Sequence, residues 1–142
     1  MRKVIILVTA LILALMLCAC TMFSEKENDM NKADNQNTAI TYEQISGEEA
    51  KRLMESETGY VIIDARTESE FTRGHIPGAI LIPEYEVSER VEGIIKDKST
   101  LILVYCRSGR RSKIAAEELV KLGYTNVKEF GGIIDWEYEI VK

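Results

Sequence analysis

The chain has 142 residues, 46% hydrophobic and 29% charged, with three cysteines and a formal net charge of −5. That length suits one domain core; the apolar fraction excludes disorder throughout, and the charge fraction excludes a multi-span membrane protein. An acidic chain repels phosphate, so no nucleic-acid partner is expected. Three scattered cysteines supply neither a disulfide scaffold nor a four-ligand zinc site, so no metal is expected either.

Arg2 and Lys3 precede an uncharged run from Val4 to Leu17. As a helix this run would span about 21 Å, short of the ~30 Å hydrocarbon core, which suits a signal-peptide apolar region better than a membrane span. The next residues, Leu17-Cys18-Ala19-Cys20, resemble the lipobox of bacterial lipoproteins. The resemblance implies cleavage after Ala19, loss of Cys18, and a lipid on Cys20 holding the protein on the extracytoplasmic side of the cell membrane. An uncleaved anchor from Val4 to Cys20 is the alternative. Between Thr21 and Thr38 only Met22, Phe23, Met30 and Ala33 are apolar, which reads as a solvated tether. The expected division is a signal peptide at 1–19, a tether at 20–38 and one domain at 39–142.

Within that domain Ile40-Thr41-Tyr42 reads as a short strand. Ser46-Gly47-Glu48-Glu49 has the pattern of a capping box opening a helix to about Ser56, with Ala50, Leu53 and Met54 on one face. The apolar run Tyr60–Asp64 predicts a strand buried on both faces. A helical turn at Glu68–Arg73, the segment Gly74–Gly78 and a strand at Ala79–Ile82 follow. Val87–Ile95 fits a helix with Val87, Val91, Ile94 and Ile95 inward. Thr100–Tyr105 is the strongest strand pattern. Arg111–Leu122 predicts a helix with Ala115, Leu119 and Leu122 on one stripe, stopped by Gly123. Val127–Phe130 predicts the last strand, and Gly131-Gly132 a break before a final helix carrying Trp136. Such alternation implies an α/β fold of three layers, α/β/α, around a mainly parallel five-stranded sheet.

The chemistry concentrates in Cys106-Arg107-Ser108-Gly109-Arg110-Arg111-Ser112. The segment joins the best strand to the best helix, at the carboxyl edge of the sheet where open α/β folds bind ligands. Three arginines without an acid nearby in sequence, a glycine and a helix N-terminus make an anion cradle. The same surroundings favour a thiolate, so Cys106 is the candidate nucleophile. The bland reading is a buried cysteine beside a solvated helix start, which leaves three clustered arginines unexplained. His75 precedes a parallel strand and is expected at the edge opposite Cys106, as a turn residue. Asp64 and Arg66 are expected at the catalytic edge, paired with each other or fixing loops. Trp136 either walls the pocket or belongs to the core, and Glu117-Glu118 is a solvated helix face.

Taken together, this loop, Ile63-Asp64-Ala65-Arg66 with Glu70-Phe71, Gly74-His75-Ile76-Pro77-Gly78-Ala79, and Gly131-Gly132-Ile133-Ile134-Asp135-Trp136 resemble a single-domain rhodanese, motif by motif and in order. The resemblance implies a sulfurtransferase in which Cys106 takes a sulfane sulfur from a donor such as thiosulfate, becomes a persulfide, and passes the sulfur to cyanide or a thiol. It implies no cofactor beyond that persulfide. The implied partners are a small anionic donor, a thiol or cyanide acceptor and, through Cys20, the membrane; a monomer is expected. Cysteine-dependent phosphatases carry an arginine six positions after the nucleophile, where this chain has Ser112. A persulfide or thiol redox carrier and a non-enzymatic binding module are the other readings.

Overall fold

Five parallel strands form one sheet in the order β1-β5-β4-β2-β3, seen in a computed structural model that describes residues 42–142. The strands are β1 (Glu43–Gln44), β2 (Val61–Asp64), β3 (Ala79–Leu81), β4 (Ile102–Cys106) and β5 (Val127–Gly132). The helices are α1 (Gly47–Ser56), α2 (Glu68–Phe71), α3 (Val87–Ile94) and α4 (Arg110–Lys121), with 3₁₀ turns at Glu84–Glu86 and Ile133–Asp135. The signal peptide, the lipid site at Cys20, the tether and Ile40–Thr41 lie outside the described residues. Among the described residues no helix is long and apolar enough to cross a membrane.

Strand β4 shows why the fold has three layers. All five of its residues are buried, and alternate side chains enter different cores, as period-two geometry requires. Ile102, Val104 and Cys106 join Val87 and Val91 of α3 and Ala115, Ala116 and Leu119 of α4 on one face. Leu103 and Tyr105 join Ala50 of α1, Ile62, Ile76 and Phe130 on the other. Each fully buried aliphatic side chain contributes roughly 1.5–3 kcal/mol of transfer free energy, so both layers are needed to cover the sheet. Helix α4 closes on Gly123, which at φ 89° lets the Gly123 and Tyr124 N–H groups reach the Val120 and Leu119 carbonyls.

Four local expectations are corrected. The first strand lies at Glu43–Gln44 and leaves Tyr42 outside it, because pairing with β5 rather than apolar content sets this edge. The capping box is half formed: the Ser46 hydroxyl accepts from the Glu49 N–H, and no return bond from Glu49 is made. Ile94 is exposed, since α3 turns Val87, Val91 and the flanking Ile95 inward at i, i+4 spacing and Ile94 falls off that stripe. The final helix is one 3₁₀ turn, Ile133–Asp135, capped by an extended Trp136. Beyond it Val141 pairs antiparallel with His75.

Candidate active site

Cys106 ends β4 at the carboxyl edge, and Gly109 starts α4 from a left-handed conformation at φ 93°. That turn brings the Gly109 N–H to 3.1 Å from the Cys106 Sγ, at the positive end of a twelve-residue helix. Burial pushes the Cys106 thiol up. Hydrogen bonds from the Ser112 hydroxyl and from the backbone N–H groups of Ser112, Ser108 and Gly109 outweigh it, leaving the thiol below its ordinary value. The loop also leans on β5. A Cβ on Gly132 would lie 2.3 Å from the Arg107 carbonyl oxygen and 2.6 Å from the Ser108 Cα, so only glycine lets strand and loop approach this closely. The Ile134 N–H then donates to the Arg107 carbonyl at 3.2 Å.

The three loop arginines divide. Arg107 and Arg110 are exposed, and neither has an ion-pair partner among the described residues. Arg111 is half-buried and donates twice to the Glu70 carboxylate of α2, at 2.7 and 2.8 Å. An acid distant in sequence therefore neutralises one of the cations expected to be free. Ser108 is exposed, whereas Ser112 is buried with its hydroxyl 3.4 Å from the Cys106 Sγ. A cleft of about 480 Å³ opens beside the loop, lined by Arg66, Glu70, Arg73, Gly74, Arg107, Ile133, Ile134 and Ile140. The exposed Arg73 adds a cation that sequence reasoning overlooked. Cys106 itself lies behind the cleft wall and is buried.

Asp64 and Arg66 form a buried pair at the end of β2. The guanidinium donates to both carboxylate oxygens, with the shortest contact 2.6 Å, and also to the Gly74 carbonyl at 2.7 Å. The Tyr105 hydroxyl donates to Asp64 at 2.5 Å and accepts from the Ile76 N–H at 3.1 Å. Burial and then the Asp64 charge push that hydroxyl well above its ordinary range, which keeps it a donor. Arg66 thus ties the Gly74–Ile76 segment to the catalytic edge. His75 consequently sits near that edge, contrary to the expectation from strand direction, because its neighbours Gly74 and Ile76 are bound by Arg66 and Tyr105. Its ring stacks on Phe71, with centroids 3.7 Å apart, and its Nδ1 lies 3.1 Å from the Phe71 carbonyl oxygen.

Trp136 packs with Phe130 and Tyr138 in the core under α1, across the sheet from the Cys106 side chain, and does not line the cleft. Glu117 is exposed and Glu118 pairs with Lys121 at 3.4 Å, as a solvated face should. Sequence reasoning missed Glu129. Its buried carboxylate lies 2.6 Å from the Ser112 hydroxyl oxygen and accepts from the Gly131 N–H at 2.9 Å. The signal was available in the parity of β5: Glu129 shares the inward face of Val127, beneath α4. Among the described residues no cluster of histidine, cysteine or carboxylate side chains could hold a metal ion.

A cysteine that ends a parallel strand under a helix N-terminus, with Arg107 and Arg110 exposed on the same loop, defines the class of α/β proteins with a nucleophilic thiol at the sheet edge. Comparison with known proteins narrows it. The Rhodanese-like domain family matches residues 46–139. Thiosulfate sulfurtransferase PspE of Escherichia coli is 42% identical over 73 residues, which is 51% of this chain and 70% of that protein. A sulfurtransferase of Allochromatium vinosum is 38% identical over 61% of this chain and 79% of its own length. Among solved structures, a rhodanese with anions from E. coli superposes with TM-score 0.56 at 40% identity, covering 58% of this chain and 98% of that one. A rhodanese-related protein of Thermoplasma volcanium gives 0.61 at 29% identity, covering 70% and 98%. The chain belongs to the rhodanese-like family and is a rhodanese-type sulfurtransferase.

Proposed function

We propose that the protein is tethered to the extracytoplasmic face of a bacterial membrane through a lipid on Cys20, and moves sulfane sulfur from thiosulfate or a persulfide to cyanide or a thiol acceptor. Cys106 is the carrier. Its thiolate attacks the outer sulfur of thiosulfate, the S–S bond of the donor breaks, and sulfite departs with the electron pair. The acceptor then attacks the terminal persulfide sulfur and releases the Cys106 thiolate, so charge and electrons balance without a cofactor. The observation that carries this reading is the 3.1 Å approach of the Gly109 N–H to Sγ, which places a donor on the sulfur that must be anionic in both steps. Arg107, Arg110 and Arg73 supply exposed positive charge for an anionic donor, and the name of the E. coli relative supports thiosulfate in that role.

The test is a thiosulfate:cyanide assay combined with mass spectrometry of Cys106. The wild-type protein is expected to gain ~32 Da on Cys106 with thiosulfate and to lose it with cyanide, in ping-pong kinetics. Cys106→Ser is expected to abolish both. Normal turnover in that variant, or phosphatase activity exceeding sulfur transfer, overturns the reading. Persulfide formation without turnover to cyanide replaces turnover with sulfur carriage.

A further inference from the structure

The Ser112 hydroxyl has one proton and several acceptors within reach. Oγ lies 2.6 Å from Glu129 Oε1, 3.0 Å from the Gly109 carbonyl oxygen, 3.4 Å from the Gly131 carbonyl oxygen and 3.4 Å from the Cys106 Sγ. A carboxylate at 2.6 Å is the strongest claimant. While Glu129 is ionised the hydroxyl is drawn to Oε1 at 2.6 Å, and its bond to the sulfur at 3.4 Å is the weaker of the two. That arrangement suits a thiol. When Glu129 is protonated it can donate to Oγ instead, which frees the Ser112 hydrogen to turn to a sulfur anion. Glu129 is 3% exposed and makes no ion pair among the described residues, so this exchange is the outlet its proton finds within the core.

We propose that Glu129 is a positioning residue for the reactive thiol: through the Ser112 hydroxyl it shares one proton with Cys106, and it sets whether Ser112 donates to the sulfur. In the exchange the S–H bond breaks and an O–H bond forms on Ser112 Oγ. The proton Ser112 held passes to Glu129 Oε1, with no change of oxidation state. The product is a thiolate held by Gly109 and Ser112, with a neutral carboxyl behind it. Its negative charge sits on the sulfur or on Glu129, because two anions joined by one hydroxyl in a buried site repel. The proposal rests on the sulfur-transfer reading for its purpose, and on geometry alone for its existence. The other charged groups around the pair are Arg107 of the loop, Arg110 and Arg111 of α4, Glu70 of α2 bonded to Arg111, and Glu84 of the 3₁₀ turn facing Arg111. On the β5 side they are Lys128, bonded to Glu43 of β1. These flank the relay without entering it, so changes confined to Glu129 and Ser112 isolate it.

The experiment is the pH dependence of iodoacetamide alkylation in the full-length protein, read at the Cys106 peptide by mass spectrometry so that Cys18 and Cys20 do not contribute. The wild-type rate is expected to rise in two steps, as a coupled pair should. Glu129→Gln, which cannot accept the proton, is expected to give one step with its midpoint lower by about one pH unit. In a Ser112→Ala background the same substitution is expected to move the midpoint by less than half as much, through charge repulsion alone. Superimposable wild-type and Glu129→Gln profiles overturn the proposal, and so does a shift of equal size with Ser112 absent. If Glu129→Gln fails to fold, carboxyl carbon NMR of the wild-type protein decides. The Glu129 titration is expected to change from two steps to one when Cys106 is alkylated, and an unchanged curve overturns the proposal. Two-step alkylation without thiosulfate turnover refutes the donor and keeps the coupling; turnover with superimposable profiles does the reverse.

Discussion

Arg111 follows Cys106 by five positions, and its guanidinium is held in a two-point ion pair by Glu70 rather than left open to a ligand. Both side chains are mostly buried, at 17% and 15% exposed, so solvent screens the pair only in part. The Arg111 hydrogen bonds, together with the Thr67 backbone and hydroxyl, hold the Glu70 carboxyl down at about 2, against an ordinary value near ~4.3. A carboxyl with a depressed folded value contributes stability that is fully present above its unfolded value and is lost as pH falls toward the folded one. Glu70→Gln is therefore expected to cost about 1–3 kcal/mol at neutral pH, discounted for partial exposure, and progressively less between about pH 4.5 and about pH 2. Urea denaturation of both proteins at neutral and acid pH checks this. An equal deficit at both ends of that range would show that the pair contributes through packing and not through charge.

The elements owe their positions to a few side chains that cross between them. Tyr105 of β4 joins Asp64 of β2 to the Ile76 N–H ahead of β3, and Arg66 joins the same Asp64 to the Gly74 carbonyl. Removing the hydroxyl in Tyr105→Phe strands a buried N–H and one carboxylate lone pair. The expected cost is about 1–3 kcal/mol by chemical denaturation, with the unfolding slope unchanged; a loss within ~0.5 kcal/mol would mean that Arg66 alone secures the crossing. These ties also mark the limit of what the sequence makes legible. The β2 and β4 strands are readable as continuous apolar runs buried on both faces, and the α1, α3 and α4 helices because each repeats its apolar residues at helical spacing. The Glu43–Gln44 strand and the Ile133–Asp135 turn carry no such repeat, and partners elsewhere in the chain fix them. His75 is the same case in reverse: its place follows from Arg66 and Tyr105, not from the direction of the strand it precedes.

Across the whole molecule, a net charge of −5 surrounds an edge with exposed Arg73, Arg107 and Arg110, a field that favours small anions where the average charge would repel them. The nucleophile, the helix behind it and the glycine pair were legible as contiguous motifs. The pairing of Glu70 with Arg111, and the places of Glu84 and Glu129, were not, because each arises only through tertiary packing. The matched family residues, 46–139, contain Cys106, its loop and every cleft-lining residue except Ile140, so the chemistry and the proposed lipid on Cys20 belong to separate stretches of chain. Their effects should accordingly separate. The apolar run Val4–Leu17 would be about 21 Å long as a helix and too short to span ~30 Å of hydrocarbon, which is why the proposed attachment runs through acyl chains on Cys20. Cys20→Ser is expected to move the mature protein from the membrane to the aqueous fraction, with thiosulfate:cyanide turnover per molecule unchanged within about twofold. Cell fractionation, intact-mass measurement and the turnover assay on each fraction check this. Retention in the membrane at full precursor mass would replace the lipid with an uncleaved Val4–Cys20 anchor and leave the assignment of Cys106 standing.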